Sequence, residues 1–108
     1  MLSLLLLAAA AATPTLPPYA ESIRCAGLAE ADAEQSRSDL AFDAAIYWGM
    51  AASEAARNNG VSAERFAQDQ KEAATKAKAD LETGQGILEE LVDCLAAAPP
   101  LPAKSKRR

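Results

Sequence analysis

"IRCAGL" (Ile23–Leu28) and "VDCLAA" (Val92–Ala97) hold the only two cysteines of the chain, Cys25 and Cys94, in a sequence with no histidine. Whether the two pair constrains how the chain can fold. The chain has 108 residues, which is room for one small domain. Alanine is the commonest residue, while aromatics make up 5% and glycines number 5. Alanine is the best helix former, and strands want β-branched and aromatic side chains, so the composition predicts an all-α fold.

The N-terminus bears on the redox state of the cysteines. "MLSLLLLAAAAATP" carries an apolar run from Leu2 to Ala12. A bilayer span needs about 20 residues, so this run has instead the length of a signal-peptide core. Ala10, Ala11 and Ala12 supply small residues for cleavage. No lysine or arginine precedes the run, which departs from the usual pattern and leaves an uncleaved N-terminal anchor as the other reading of residues 1–12. We expect a periplasmic or secreted protein, uncharacterized by any motif of its own, with Cys25 and Cys94 joined as one disulfide bond. Without a C-x-x-C pair or histidine, neither a redox motif nor a zinc set is expected.

Four segments follow. Residues 1–12 are the signal peptide, and 13–20 form a proline-rich leader around "TPTLPPY". Residues 21–98 are the helical domain, and 99–108 are a proline-rich, basic tail that reads as disordered. Within the domain, "RNNG" (Arg57–Gly60) ends one helical stretch, because Asn and Gly tolerate the left-handed conformation. Ser62 reads as the N-cap of the next, with Glu64 in its first turn.

Folding the two stretches back on each other about Asn59–Gly60 sets Cys25 opposite Cys94. We therefore expect a long antiparallel helical hairpin closed by the disulfide, each arm roughly 55 Å long at 1.5 Å per residue. Arg37 then falls opposite Glu82, Asp43 opposite Lys76, and Glu54 opposite Arg65. Asp39 against Asp80 fits poorly. Both arms have weak points, at Ser36–Ser38 and at Gly84–Gly86, where kinks would convert the hairpin into a small four-helix bundle. At the first, Ser36 with Asp39 resembles a capping box.

Helical periodicity assigns the faces. Leu40, Ala44 and Trp48 lie on a wide apolar face whose opposite side carries Asp39, Asp43, Glu54 and Arg57. In the second stretch Phe66, Leu81, Leu88, Leu91 and Leu95 continue a seam spaced by threes and fours. These eight apolar residues are the expected core. Ile46 and Met50 sit among the charges, with Phe42 at the edge. Either a neighbouring segment of the same chain covers Phe42, Ile46 and Met50, or they form an interaction patch for a homodimer or a protein partner. The small-residue row Ala41, Ala45, Gly49, Ser53 reads as close packing of two helices.

The same residues exclude several functions. The absence of histidine removes Ser-His-Asp and Cys-His chemistry. Glu30, Asp32 and Glu34 point around a helix and do not converge. Asp32–Asp43 is a poor calcium loop, with Arg37 where glycine is required. Glu89, Glu90 and Asp93 read as a solvated face. Four of the 11 basic residues lie in Lys104–Arg108, so the rest of the chain sets 7 cations against 15 acids, a body unsuited to nucleic acid. No cofactor, metal or small-molecule substrate is inferred, and membrane contact beyond the N-terminal segment is not expected. The expectation is a small non-enzymatic protein acting by protein–protein interaction. The alternative is a periplasmic acid-stress chaperone opened by carboxylate protonation, since fifteen acids titrate at low pH with no histidine to respond earlier.

Overall fold

The computed structural model describes residues 17–84 and 87–99. The expected signal peptide (1–12), most of the leader, Gly86 and all of the basic tail but Pro99 lie outside the described residues. Within them the chain is all-helical, with four helices: α1 (Tyr19–Ser36), α2 (Asp39–Asn58), α3 (Ala63–Thr83) and α4 (Ile87–Ala97). One disulfide joins Cys25 to Cys94. Helix α1 starts at Tyr19, inside the segment read as leader, directly after Pro18 at its N-cap. Proline before a first turn loses no hydrogen bond that the helix needs.

The breaks have local causes. Arg37 adopts φ 59°, ψ 27°, and its N–H donates to the carbonyl of Ala33. This left-handed residue ends α1 without a glycine, an uncommon device. Ser38 then caps α2, its Oγ accepting from Ala41 N at 3.1 Å. The capping residue is thus Ser38, not the expected Ser36; the Ser36 hydroxyl instead donates to the carbonyl of Asp32. Ser62 caps α3 as expected, accepting from Arg65 N at 3.1 Å. Gly60 and Gly84 carry positive φ, 71° and 72°, at the ends of α2 and α3.

Helix α1 is the centre of the fold. It packs most extensively on α2, next on α3, and also touches α4. With only Arg37 and Ser38 between them, packed α1 and α2 run antiparallel. Helix α3 follows α1 in the same direction: Tyr19 meets Asp69, and further along Gly27 meets Ala73. The arms of a straight hairpin would pair α2 with α3, yet these two make almost no contact. The reason is the reversal at Arg37, which inserts α1 between them. The facing pairs expected of the hairpin, Arg37–Glu82, Asp43–Lys76 and Glu54–Arg65, are replaced by Arg24–Asp80, Lys76–Asp80, Glu54–Arg57 and Arg65–Asp69.

The core gathers around Leu28 and Trp48, both essentially inaccessible, with Ala29, Ala44, Ala77, Ile87, Leu91 and the disulfide. Alanine lets helix axes approach closely but buries little area, so the large side chains and the covalent link supply much of the cohesion. The close approach between helices is at Gly27, where an added Cβ would lie 2.7 Å from the carbonyl oxygen of Ala73. Within the row Ala41, Ala45, Gly49, Ser53, Ala41 is buried, but a Cβ at Gly49 would meet nothing within 4 Å, so that glycine marks no close approach.

Candidate functional site

Helix α2 has two unlike faces. Ala41, Ala44, Trp48, Ala51, Ala52 and Ala55 are buried against the rest of the chain. On the outer side Phe42, Ile46 and Met50 recur every fourth residue and are 57%, 47% and 67% exposed. A spacing of four keeps side chains on one face of a helix, so the three form a continuous apolar stripe. No described segment of the chain covers it. Asp39 stands at one end of the stripe and Arg57 at the other, the latter ion-paired with Glu54 of its own helix.

A second apolar surface lies on another side of α2. An open groove of about 620 Å³ runs between its first turns and α4, lined by Leu40, Ala44, Val92, Leu95 and Ala98, with Asp39 and Asp43 at its edge. Leu40 and Leu88, expected in the core, are 61% and 64% exposed. For Leu88 the cause is the break at Gly84, which resets the helical phase. Ile87, Leu91 and Cys94 turn inward instead, and Leu88 falls on the flank. Leu40 projects to the side of α2 where the groove remains open. The other expected core residues divide: Ala44, Trp48 and Leu91 are buried, while Phe66, Leu81 and Leu95 are half-buried. The Phe66 ring lies 6.4 Å from that of Tyr19.

The sequence pattern does not single out the polar cluster beside the disulfide. Arg24 donates from Nε to Glu90 at 2.8 Å and from Nη2 to Glu90 at 3.0 Å, a two-pronged pair, and also reaches Asp80 at 3.0 Å. It thereby ties α1 to α3 and α4. Lys76 adds a second cation to Asp80 at 3.4 Å. The hydrogen bonds from Arg24 hold the Glu90 carboxyl below its ordinary value, against a smaller opposing effect of burial. For Asp80 burial acts upward, but Arg24 and Lys76 together outweigh it and the carboxyl is lowered. Carboxyls held ionised in this way do not serve as general acids near neutral pH. Glu90, expected on a solvated face, is therefore a structural partner. Its only sequence signal is the position of Arg24 beside Cys25. Elsewhere Tyr19 donates to Asp69 at 2.8 Å, and burial together with that bond pushes its hydroxyl up to about 12.

Among the described residues no three carboxylate or cysteine side chains converge to hold a metal ion, and no helix is long and apolar enough to cross a membrane. Compared with protein-family models, with curated proteins and with solved structures, the chain matches none.

Proposed function

We propose that this chain is a small exported helical protein that acts by protein–protein contact through the outer face of α2, and not by catalysis. One observation carries the reading. Phe42, Ile46 and Met50 form an aligned apolar stripe on the outside of a helix whose inside is already buried. Single exposed apolar residues are ordinary on protein surfaces; an aligned stripe with charges at its ends is the form of a helix-docking face. The architecture that presents it is a small four-helix bundle built around α1. Export, to the periplasm or beyond, is supported by the apolar run at residues 2–12 and by the disulfide.

The test is solvent footprinting by hydroxyl radicals. Met50 and Phe42 should be modified readily at high dilution and become protected as the protein is concentrated. A Met50 protected in the dilute monomer would make the stripe core. Equal modification at every concentration would leave it without a role in the protein's own assembly.

A second reading, an acid-opened chaperone, has one observation in its favour. The Arg24 cluster crosses three helices and depends on two ionised carboxylates. Binding of an apolar dye at pH near 3 but not near 7, with suppressed client aggregation in the same range, is its signature. Absence of dye binding in acid removes it.

A further inference from the structure

We infer that the partner of the α2 stripe is the same stripe on a second copy of this chain, packed antiparallel in the register that sets Ile46 of each copy against Met50 of the other. The inference rests on the protein-contact reading given above and names its partner. On the outer side of α2, Asp39, Phe42, Ile46, Met50, Ser53 and Arg57 follow one another at steps of three and four, the pattern of a helix-pairing seam. A twofold dimer requires a self-complementary face, in which residue i meets j and j meets i. The Ile46–Met50 register meets that requirement twice over. It joins the two large aliphatic side chains reciprocally. It also brings Asp39 of each copy to Arg57 of the other, whose guanidinium already holds Glu54 of its own helix and has further N–H donors for the aspartate, one ion pair at each end. No ion pair to Asp39 forms among the described residues of a single chain, so this acid is available. Phe42 falls opposite Glu54 of the second copy, beside Ser53, while that Glu54 is held by Arg57 of its own helix. There the small side chain of Ser53, and the open space beside Gly49, leave room for a ring.

Neighbouring arrangements lose one of these features. Pairing Ile46 with Ile46 carries Arg57 past the start of the other helix and leaves Asp39 facing Ser53. Pairing Met50 with Met50 carries Asp39 past the end of the other helix, opposite Val61. A parallel pair sets Asp39 beside Asp39 and Arg57 beside Arg57, like charges in contact. Of these arrangements, the antiparallel Ile46–Met50 register is the one that pairs Asp39 with Arg57 at both ends while keeping the two aliphatic side chains in contact.

Sedimentation equilibrium at micromolar concentration tests the register. Asp39→Arg and Arg57→Asp should each weaken self-association by roughly tenfold, because each replaces two attractive contacts by two repulsive ones. Asp39 also occupies the first turn of α2, where an arginine is unfavourable to the helix, so the decisive sample is the equimolar mixture of the two variants. In the mixed dimer every arginine again faces an aspartate, and association should return to near the wild-type level. A mixture no stronger than either variant alone, or single variants as tight as wild type, overturns the register. A wild-type chain monomeric at these concentrations overturns the dimer. Ile46→Lys with Met50→Lys separates the two levels. If this pair abolishes association while the charge exchanges do nothing, the register is wrong and the contact face stands. If the pair leaves association intact, the contact face itself is wrong.

Discussion

The indole Nε1 of Trp48 donates a buried 2.9 Å hydrogen bond to the backbone carbonyl of Cys94. That residue is covalently joined to Cys25, so α1, α2 and α4 meet at one point made of a ring, a disulfide and a hydrogen bond. Trp48→Phe removes the donor, leaves the Cys94 carbonyl buried without it, and opens space in the core. The expected cost is about 2–4 kcal/mol, read as a lowered urea midpoint with an unchanged slope.

Reduction should be equally damaging. The disulfide spans 69 positions, and closing a loop of that size restricts the unfolded chain by about 4 kcal/mol in the entropy model. An alanine-rich core has little surplus against this. Cys25→Ser should lower the melting temperature by well over ~10 °C. A melt insensitive to reductant would show that the bond contributes little.

Gly27 illustrates a sign decided by geometry. Alanine is favoured over glycine by about 1 kcal/mol within a helix. Here the added methyl would meet the Ala73 carbonyl carbon at 2.9 Å and its oxygen at 2.7 Å. Both are backbone atoms, so relief requires α1 and α3 to separate. Gly27→Ala should therefore destabilise by about 1–3 kcal/mol in thermal or urea unfolding, whereas Gly49→Ala, with open space around it, should stabilise or be neutral.

The ion cluster fixes the pH response. Asp80 and Glu90 are lowered in the folded chain, so their contribution is complete above the ordinary carboxyl range and is lost as the pH falls through their folded values. The melting temperature should be level from neutral pH to about 5 and fall steeply below about 4. Asp80→Asn with Glu90→Gln should lower the neutral value and flatten the acid limb. Tyr19 acts at the other extreme. Its raised hydroxyl favours the folded state below pH 10, and this contribution disappears as the pH approaches about 12. Absorbance titration should show a tyrosine ionising there, and Tyr19→Phe should remove it.

Much of this architecture can be read directly from the residues. The helix start at Ser62, the stop at Asn58–Gly60 and the pairing of Cys25 with Cys94 each rest on a local signal, and the structure contains all three. The path between the cysteines is less legible. A straight hairpin and a folded-back chain both bring them together, and the reversal hangs on Arg37, a residue type that gives no warning of a left-handed conformation. A seam drawn through Leu88 treats the helix as continuous across Gly84 and so places the inward positions away from Ile87. Leu28, at the centre of the core, lies on the one face of α1 where small residues mask the pattern. The exposed stripe was visible as apolar residues among charges, but only the packing of α1 on the opposite side of α2 settles that its own chain leaves Phe42, Ile46 and Met50 uncovered within the described residues.

The claim that α2 is core on one face and contact surface on the other is tested most directly by the mass of the native chain in solution, beside that of Ile46→Lys with Met50→Lys. At micromolar concentration, sedimentation equilibrium should give twice the chain mass for the native protein and the single-chain mass for the variant. Diluted until both are monomeric, the two should unfold within about 0.5 kcal/mol of each other, as expected for surface substitutions. A native protein already at single-chain mass, together with a variant destabilised by several kcal/mol, would mean that the stripe is part of the core and would contradict the two-faced helix outright.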